Sequence, residues 1–335
     1  GNLKSLLRYP GGKTRALKWI TPYFPENLTE MVSPFFGGGS IEIDYASRGV
    51  RVFGYEIFEP LVNFWQNVLD DPEKIAYYLD AAYHPCSKPA FAKWQERQAW
   101  ADRDDDAKYP HWKEFRACMY YALNRSSFSG ATTSGGFSKE SADKRFTLSS
   151  IDRLKTFSCS SLSVKEADFN DSLAKHDDDI FIYADPPYAI DNPVLYGRNG
   201  STHEGFDHAG FAKAIKEKNN WIISYNDSKY IRELYKGYKI IKTGWSYGMH
   251  GGTAKKGDLT NTSSEIIILN GIDPDHIAAA NDKVQEMRAL DQAKLEKKRS
   301  TAKRKKRVAD KKCRQLHWER KLLTFKKKKG EKQIE

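Results

Sequence analysis

The sequence predicts an α/β chain built on a mostly parallel, doubly wound sheet, interrupted by a long helical block and followed by a basic helical tail. Three observations predict it. Apolar runs of strand length alternate with helical patterns, the spacing turns helical from about residue 60 to residue 157, and glycine-rich or acidic residues stand where strand runs end. Ligands of such sheets bind outside the carboxyl ends of the strands, so the same residues mark the candidate site.

Met31-Val32 reads as the first strand and leads into Ser33-Pro34-Phe35-Phe36-Gly37-Gly38-Gly39-Ser40, a glycine-rich turn. A helix from Ile41 to about Ser47 follows and stops at Gly49. Val50 to Tyr55 alternates as a second strand ending at Glu56. The block 59–157 then breaks the alternation. Within it, Trp112, Phe115, Met119 and Leu123 form an apolar stripe at helical spacing, which reads as core. Ser161 to Val164 resumes the strand pattern ahead of Glu166-Ala167-Asp168-Phe169, and Ile180 to Ala184, Trp221 to Tyr225, Tyr238 to Thr243 and Glu265 to Leu269 complete the strands.

Charge is distributed unevenly. The chain of 335 residues carries +11, but from Lys283 to Glu335 there are 21 Lys/Arg against 7 Asp/Glu, a local +14 that leaves residues 1–282 at −3. Any nucleic-acid contact by the body must therefore rest on a local patch. The four cysteines, Cys86, Cys118, Cys159 and Cys313, show no Cys-x-x-Cys spacing and no His pair stands at ligand spacing, so neither a metal site nor a disulfide framework is expected. No stretch is apolar for long enough to span a membrane, and Gly1-Asn2-Leu3-Lys4 lacks the apolar segment of a signal peptide, so a cytoplasmic or nuclear setting is expected.

Two motifs invite phosphate readings and fail them. The three consecutive glycines with Glu42 where G-x-G-x-x-G needs glycine do not match the dinucleotide fingerprint, although Glu56 stands at the distance of a ribose-binding acid. In Arg8-Tyr9-Pro10-Gly11-Gly12-Lys13-Thr14, Leu7 stands where a Walker loop needs glycine; Lys13 could instead pair with a ligand carboxylate, or lie in a solvated turn.

Asp185-Pro186-Pro187-Tyr188 follows Ile180 to Ala184 and so closes a buried strand. Two prolines fix φ and offer no N–H, leaving carbonyl acceptors. With the Asp185 carboxylate and the Tyr188 ring they form either a socket for a flat ring bearing an exocyclic amine or a plain strand-ending turn. In the order Tyr9-Pro10-Gly11-Gly12-Lys13, Pro34-Phe35-Phe36-Gly37-Gly38-Gly39-Ser40, Glu56, Asp168-Phe169 and Asp185-Pro186-Pro187-Tyr188, residues 3–271 resemble the Dam-like, D12 class adenine-specific DNA methyltransferases.

That resemblance implies a Rossmann-like methyltransferase sheet from 1–58 and 158–272, an inserted target-recognition domain at 59–157 and an extension at 273–335, helical or partly disordered. It implies S-adenosyl-L-methionine as methyl donor and double-stranded DNA as partner, with a cognate restriction endonuclease as a further candidate and a prokaryotic, phage or viral setting. Tyr9, Gly11, Gly12, Lys13, Phe35, Gly37, Gly38, Gly39 and Ser40 would hold the donor's methionine end. Glu56 would hold its ribose, Asp168 and Phe169 its adenine, with Asp185 beside it. Asp185, Pro186, Pro187 and Tyr188 would receive a flipped-out adenine for N6 methylation. The same socket admits cytosine-N4 or RNA-base methylation, and the fold admits a noncatalytic DNA-binding protein.

Asn124-Arg125-Ser126-Ser127-Phe128-Ser129-Gly130 resembles the family's segment at the DNA interface, which assigns DNA contact to Arg125, Ser127, Phe128, Ser129 and Gly130, joined by Arg198 from the loop after the catalytic strand. Ser129 and Thr133 stand where GATC-specific members carry Asn and Arg, arguing against GATC. The following Gly/Ser stretch reads as a different reader or as an ordinary loop. Loops 189–206 and 246–263 are candidates to close over substrate, and Ser224-Tyr225-Asn226-Asp227 offers either a substrate-side motif or a helix cap. The tail, densest in charge at Lys303-Arg304-Lys305-Lys306-Arg307, reads as a long fraying helix that attracts phosphates, or as a solvated face.

Overall fold

The structure, a computed structural model, describes residues 3–9, 16–99, 105–189, 205–247 and 263–331. Seven strands, β1 (Glu30–Ser33), β2 (Arg51–Glu56), β3 (Leu162–Glu166), β4 (Phe181–Ala184), β5 (Asn220–Asn226), β6 (Lys239–Tyr247) and β7 (Ser263–Asn270), form one sheet in the order β3-β2-β1-β4-β5-β7-β6. The first five strands pair in parallel; β7 runs antiparallel between β5 and β6. All seven expected strands are present, and the mixed Rossmann-like sheet agrees with the expected fold class.

The sheet is wound outward in both directions from the neighbouring pair β1 and β4, which are in register at Val32 and Ile182. The crevice of an open α/β sheet lies at such a reversal. It falls where the glycine turn leaves β1 and Asp185 leaves β4. The near-continuous apolar run of β4 follows from burial on both faces: all four of its residues are buried, Ile182 and Ala184 in a core with Val32, Phe211, Trp221, Ile223, Ile266 and Ile268, and Phe181 and Tyr183 against Phe24.

In the helical block, Glu59–Asp70 packs on Trp112–Ser126, with the Phe64 and Tyr121 rings stacked at 5.8 Å and an ion pair between Glu59 and the buried Arg116. Met119 and Leu123 are buried as their spacing predicts, whereas Trp112 and Phe115 are only half-buried. Burial instead covers every residue from 116 to 124, so the helix is enclosed rather than laid on a surface. Residues Gly1–His276 form one compact unit. A second comprises Ile277–Glu335, within the helix Pro274–Glu331 for its described part. Among the described residues, no helix is long and apolar enough to cross a membrane.

Candidate active site

Between β1 and the helix Ser40–Ser47, Gly37 and Gly39 adopt φ of 52° and 65°, the left-handed region that glycine enters without strain. Gly38 is small for another reason. Tyr9 lies across the turn, and a Cβ at position 38 would come within 2.8 Å of Tyr9 Cβ. At position 39 a Cβ would meet Phe36 Cζ at 2.3 Å. Gly39→Ala is therefore expected to lower unfolding free energy by about 2–4 kcal/mol, from backbone strain plus overpacking, seen as a lower urea midpoint.

The turn is tied to its neighbours. Glu56, ending β2, accepts from Gly37 N at 3.1 Å and Phe58 N at 3.2 Å. Burial pushes the Glu56 carboxyl above the ordinary range, while backbone N–H groups of Gly37, Phe58 and Ile57 pull the other way. Trp65 donates its indole N–H to Gly37 O at 3.1 Å, and the Ser5 hydroxyl donates to Gly38 O.

Asp168 follows β3 and caps the helix Phe169–Ala174, accepting Asp171 N at 2.7 Å. Phe169 packs with Phe35 and Phe206 at ring separations of 6.4 and 5.5 Å, and Phe35 meets Phe206 at 5.3 Å. Phe206 escaped the sequence reading, yet it had a signal: it precedes the Asp207 cap of the helix His208–Lys216 and faces Phe211 one turn inside, a hydrophobic staple.

After β4, Pro186 is buried, Pro187 exposed, and Asp185 and Tyr188 half-buried. The Tyr188 hydroxyl donates to Glu265 Oε2 of β7 at 2.9 Å. One residue on, Asn226 Nδ2 donates to Ala189 O at 2.7 Å while its Oδ1 accepts Ala189 N at 2.9 Å. Glu265 and Asn226 are register partners across the β5–β7 ladder, so one rung braces the segment twice. The capping reading of this segment is corrected: Ser228 caps the next helix, and Asp227 pairs with Arg232 at 2.6 Å. The Tyr9 hydroxyl pKa is driven up by burial, then by the Glu56 and Asp185 carboxylates.

These residues share one cavity of about 680 Å³. Its lining includes Tyr9, residues 34–40, Glu56, Asp168, Phe169, Asp185 to Tyr188, and also Glu42, Ile57, Ala167, Tyr183 and Phe206. Four carboxylates line it, and among the described residues no Lys, Arg or His does. Gly11, Gly12 and Lys13 lie outside the described residues, as does Arg198.

The candidate DNA segment is ordered by buried contacts. Asn124, fully buried, accepts Arg8 N at 2.9 Å and donates to Arg8 O at 2.5 Å and Thr132 Oγ1 at 3.0 Å. Two of the residues expected at the DNA lie inside the loop. Ser127 is fully buried, its hydroxyl donating to Asn124 O and accepting Thr132 N, and Gly130 is buried against the Arg8 backbone, so both shape the loop from within. Phe128, 54% exposed, and Ser129 face outward. The Gln95 amide donates to the carbonyls of Thr133 and Gly135 at 3.0 and 2.6 Å, so the Gly/Ser stretch is pinned. Arg125 donates to Arg145 O at 2.8 Å, and its guanidinium pKa is lowered by burial and then by nearby Arg153, Arg8 and Arg145, against a contribution from Tyr121. Four arginines thus gather beside the loop.

Comparison with known proteins adds the family context. A family model described as D12 class N6 adenine-specific DNA methyltransferase matches residues 9–249. The type II methyltransferase M1.LlaDCHI of Lactococcus lactis subsp. cremoris is 24% identical over 287 residues, spanning 80% of this chain and 96% of that protein. The DNA adenine methylase of Escherichia coli (strain K12) is 25% identical over 275 residues, covering 76% and 93%. The type II methyltransferase M.CviBI of Paramecium bursaria Chlorella virus NC1A is 22% identical over 272 residues, covering 79% and 99%.

Proposed function

Because the chain belongs to the D12 class N6 adenine-specific DNA methyltransferases and methylates DNA adenine, we propose that its cavity takes S-adenosyl-L-methionine as methyl donor and that Asp185 to Tyr188 receive a flipped-out adenine of double-stranded DNA. The observation that carries the donor assignment is the cavity's charge. Four carboxylates and, among the described residues, no lining cation suit a ligand bearing sulfonium and ammonium charges and disfavour one bearing phosphates. Glu56 retains acceptor capacity for ribose hydroxyls beyond its two backbone bonds. Phe35, Phe169 and Phe206 give an apolar wall for the donor's purine, and the uncapped oxygen of Asp168 can accept from a purine amine.

When bound, the donor supplies a methyl group on a cationic sulfur, already activated for displacement. The protein must prepare the amine. Adenine N6 is a weak nucleophile because its lone pair is delocalised into the ring. The Asp185 carboxylate accepts one N6–H and the Pro186 carbonyl the other, favouring a pyramidal nitrogen whose lone pair points at the methyl carbon. The N6 proton shed on transfer passes toward Asp185. Tyr188 stacks on the base, offsetting a flipping cost of roughly a few kcal/mol.

On the DNA side, the inserted block serves as the target-recognition domain. Phe128 and Ser129 meet the bases, and the patch of Arg8, Arg125, Arg145 and Arg153 meets phosphates. Bacterial and viral relatives support a prokaryotic, phage or viral setting.

Labelled donor, duplex DNA and nucleoside mass spectrometry test the reading: the expected product is N6-methyladenine, and N4-methylcytosine or no transfer would refute it. Glu56 supplies a pH test. Its raised pKa means that it takes up a proton at a pH where an ordinary carboxylate remains charged. Donor affinity is thus expected to be full above that pKa and to fall as pH drops through it, in a titration from about pH 8 to pH 5. Glu56→Gln should weaken donor binding about ten- to a hundredfold at pH 8 and flatten this dependence.

A further inference from the structure

Outside the cavity, the most heavily charged element is the helix Pro274–Glu331, of which every residue from 292 to 327 is exposed. Its densest part, residues 297–314, holds 11 Lys/Arg and a single acid, Asp310. At 1.5 Å per residue this segment is about 27 Å long, so its net charge averages one per roughly 2.7 Å. Successive residues turn by about 100°, which puts these basic side chains on all sides of the helix. Arg299, Lys303, Arg307 and Lys311 follow one another at i,i+4 spacing, each pair a like-charge repulsion that the isolated helix must bear.

Such an element favours a partner that is itself a line of negative charge. Duplex DNA carries one phosphate per about 1.7 Å of axis, the same order of density with the opposite sign. An anionic lipid surface fits residues 297–314 poorly, because a helix lying in a membrane interface needs an apolar face and this segment offers only Ala302, Val308, Ala309 and Cys313 as apolar side chains, the exposed Leu316, Trp318, Leu322, Leu323 and Phe325 lying beyond it. The rest of the chain sharpens the choice. Residues 1–282 act on a polyanion while carrying −3 themselves, so their arginine patch can hold DNA locally but their net field repels it.

We propose that the C-terminal helix is a second, sequence-independent DNA-binding element that grips duplex phosphates through residues 297–314. The proposal rests on the reading of the chain as an enzyme acting on DNA. Recognition and methyl transfer belong to the compact unit, whereas capture and retention on long DNA belong to the helix.

The test uses the full-length protein and a duplex made only of G·C pairs, which contains no adenine for the catalytic socket. Anisotropy is measured across a salt series for wild type and for K303Q/R304Q/K305Q/K306Q/R307Q. Glutamine has a helix propensity close to that of lysine and arginine, and circular dichroism checks that helicity is kept. The variant is expected to bind about tenfold more weakly or worse near physiological salt, with the log–log salt slope shallower by about 3–5. A charge-preserving variant, K303R/K305R/K306R, should bind as wild type does. Unchanged affinity and slope in the glutamine variant would overturn the proposal, as would wild-type preference for anionic phospholipid vesicles over the duplex. Methylation of an adenine-containing duplex is followed separately. Failure there with intact G·C binding would count against the proposed function and leave the helix assignment standing.

Discussion

Replacing Asp185 with alanine is expected to lower the single-turnover rate of methyl transfer by at least about a thousandfold. The side chain follows β4 and lines the cavity, and in the proposed chemistry it is the charged acceptor beside the Pro186 carbonyl. In the proposed mechanism its loss leaves one N6–H without an acceptor and the departing proton without a destination. Donor binding should change much less, because Glu42, Glu56 and Asp168 remain around the cavity. Asp185→Asn, which keeps an acceptor oxygen but not the charge, should fall between the two. Quenched-flow transfer with saturating donor and DNA, beside equilibrium dialysis of the donor, separates these effects. Turnover close to wild type in Asp185→Ala would take that residue out of the proposed chemistry.

The second large effect is expected away from the reacting atoms. Glu265→Ala removes the acceptor that orients the Tyr188 hydroxyl, and misplacement by about an ångström at a stacking ring can cost around a hundredfold in rate. The predicted signature is a fall in kcat with donor affinity preserved and with weaker stacking of a fluorescent base analogue at the target position. Glu265→Gln should recover most of the rate, since its amide oxygen can still accept from Tyr188. A purely structural role for Glu265 would instead lower thermal stability and donor binding together, and would give no rescue.

Much of this arrangement is legible in the sequence because it is local. Strand ends, glycine turn and Asp185-Pro186-Pro187-Tyr188 follow from periodicity and from what proline and glycine allow, and the cavity gathers every described residue expected at the donor site. What escaped reading depends on partners far along the chain. Asn226 is an ordinary capping residue by type, and only the fold reveals that it is engaged by the backbone of Ala189. Ser127 looks like an exposed polar contact because a hydroxyl leaves no trace in the hydrophobic pattern, yet it is buried within its own loop. Phe206 is the intermediate case, since its staple with Phe211 has a recognisable spacing but its place in the cavity depends on Phe35 and Phe169.

The position of β7 has a consequence for the order in which the molecule can become active. It is the last of the described strands in sequence, yet it inserts between β5 and β6, and it carries the residue that steadies Tyr188. During synthesis β1 to β5 can assemble the donor side of the crevice early, through neighbouring parallel pairs. The acceptor side waits for β7, synthesised after its partners, to enter between β5 and β6. On the proposed roles of the cavity and of Tyr188, a nascent chain acquires its donor cavity before it can hold a base in line with it, and methylation competence arrives with the last described strand of the sheet.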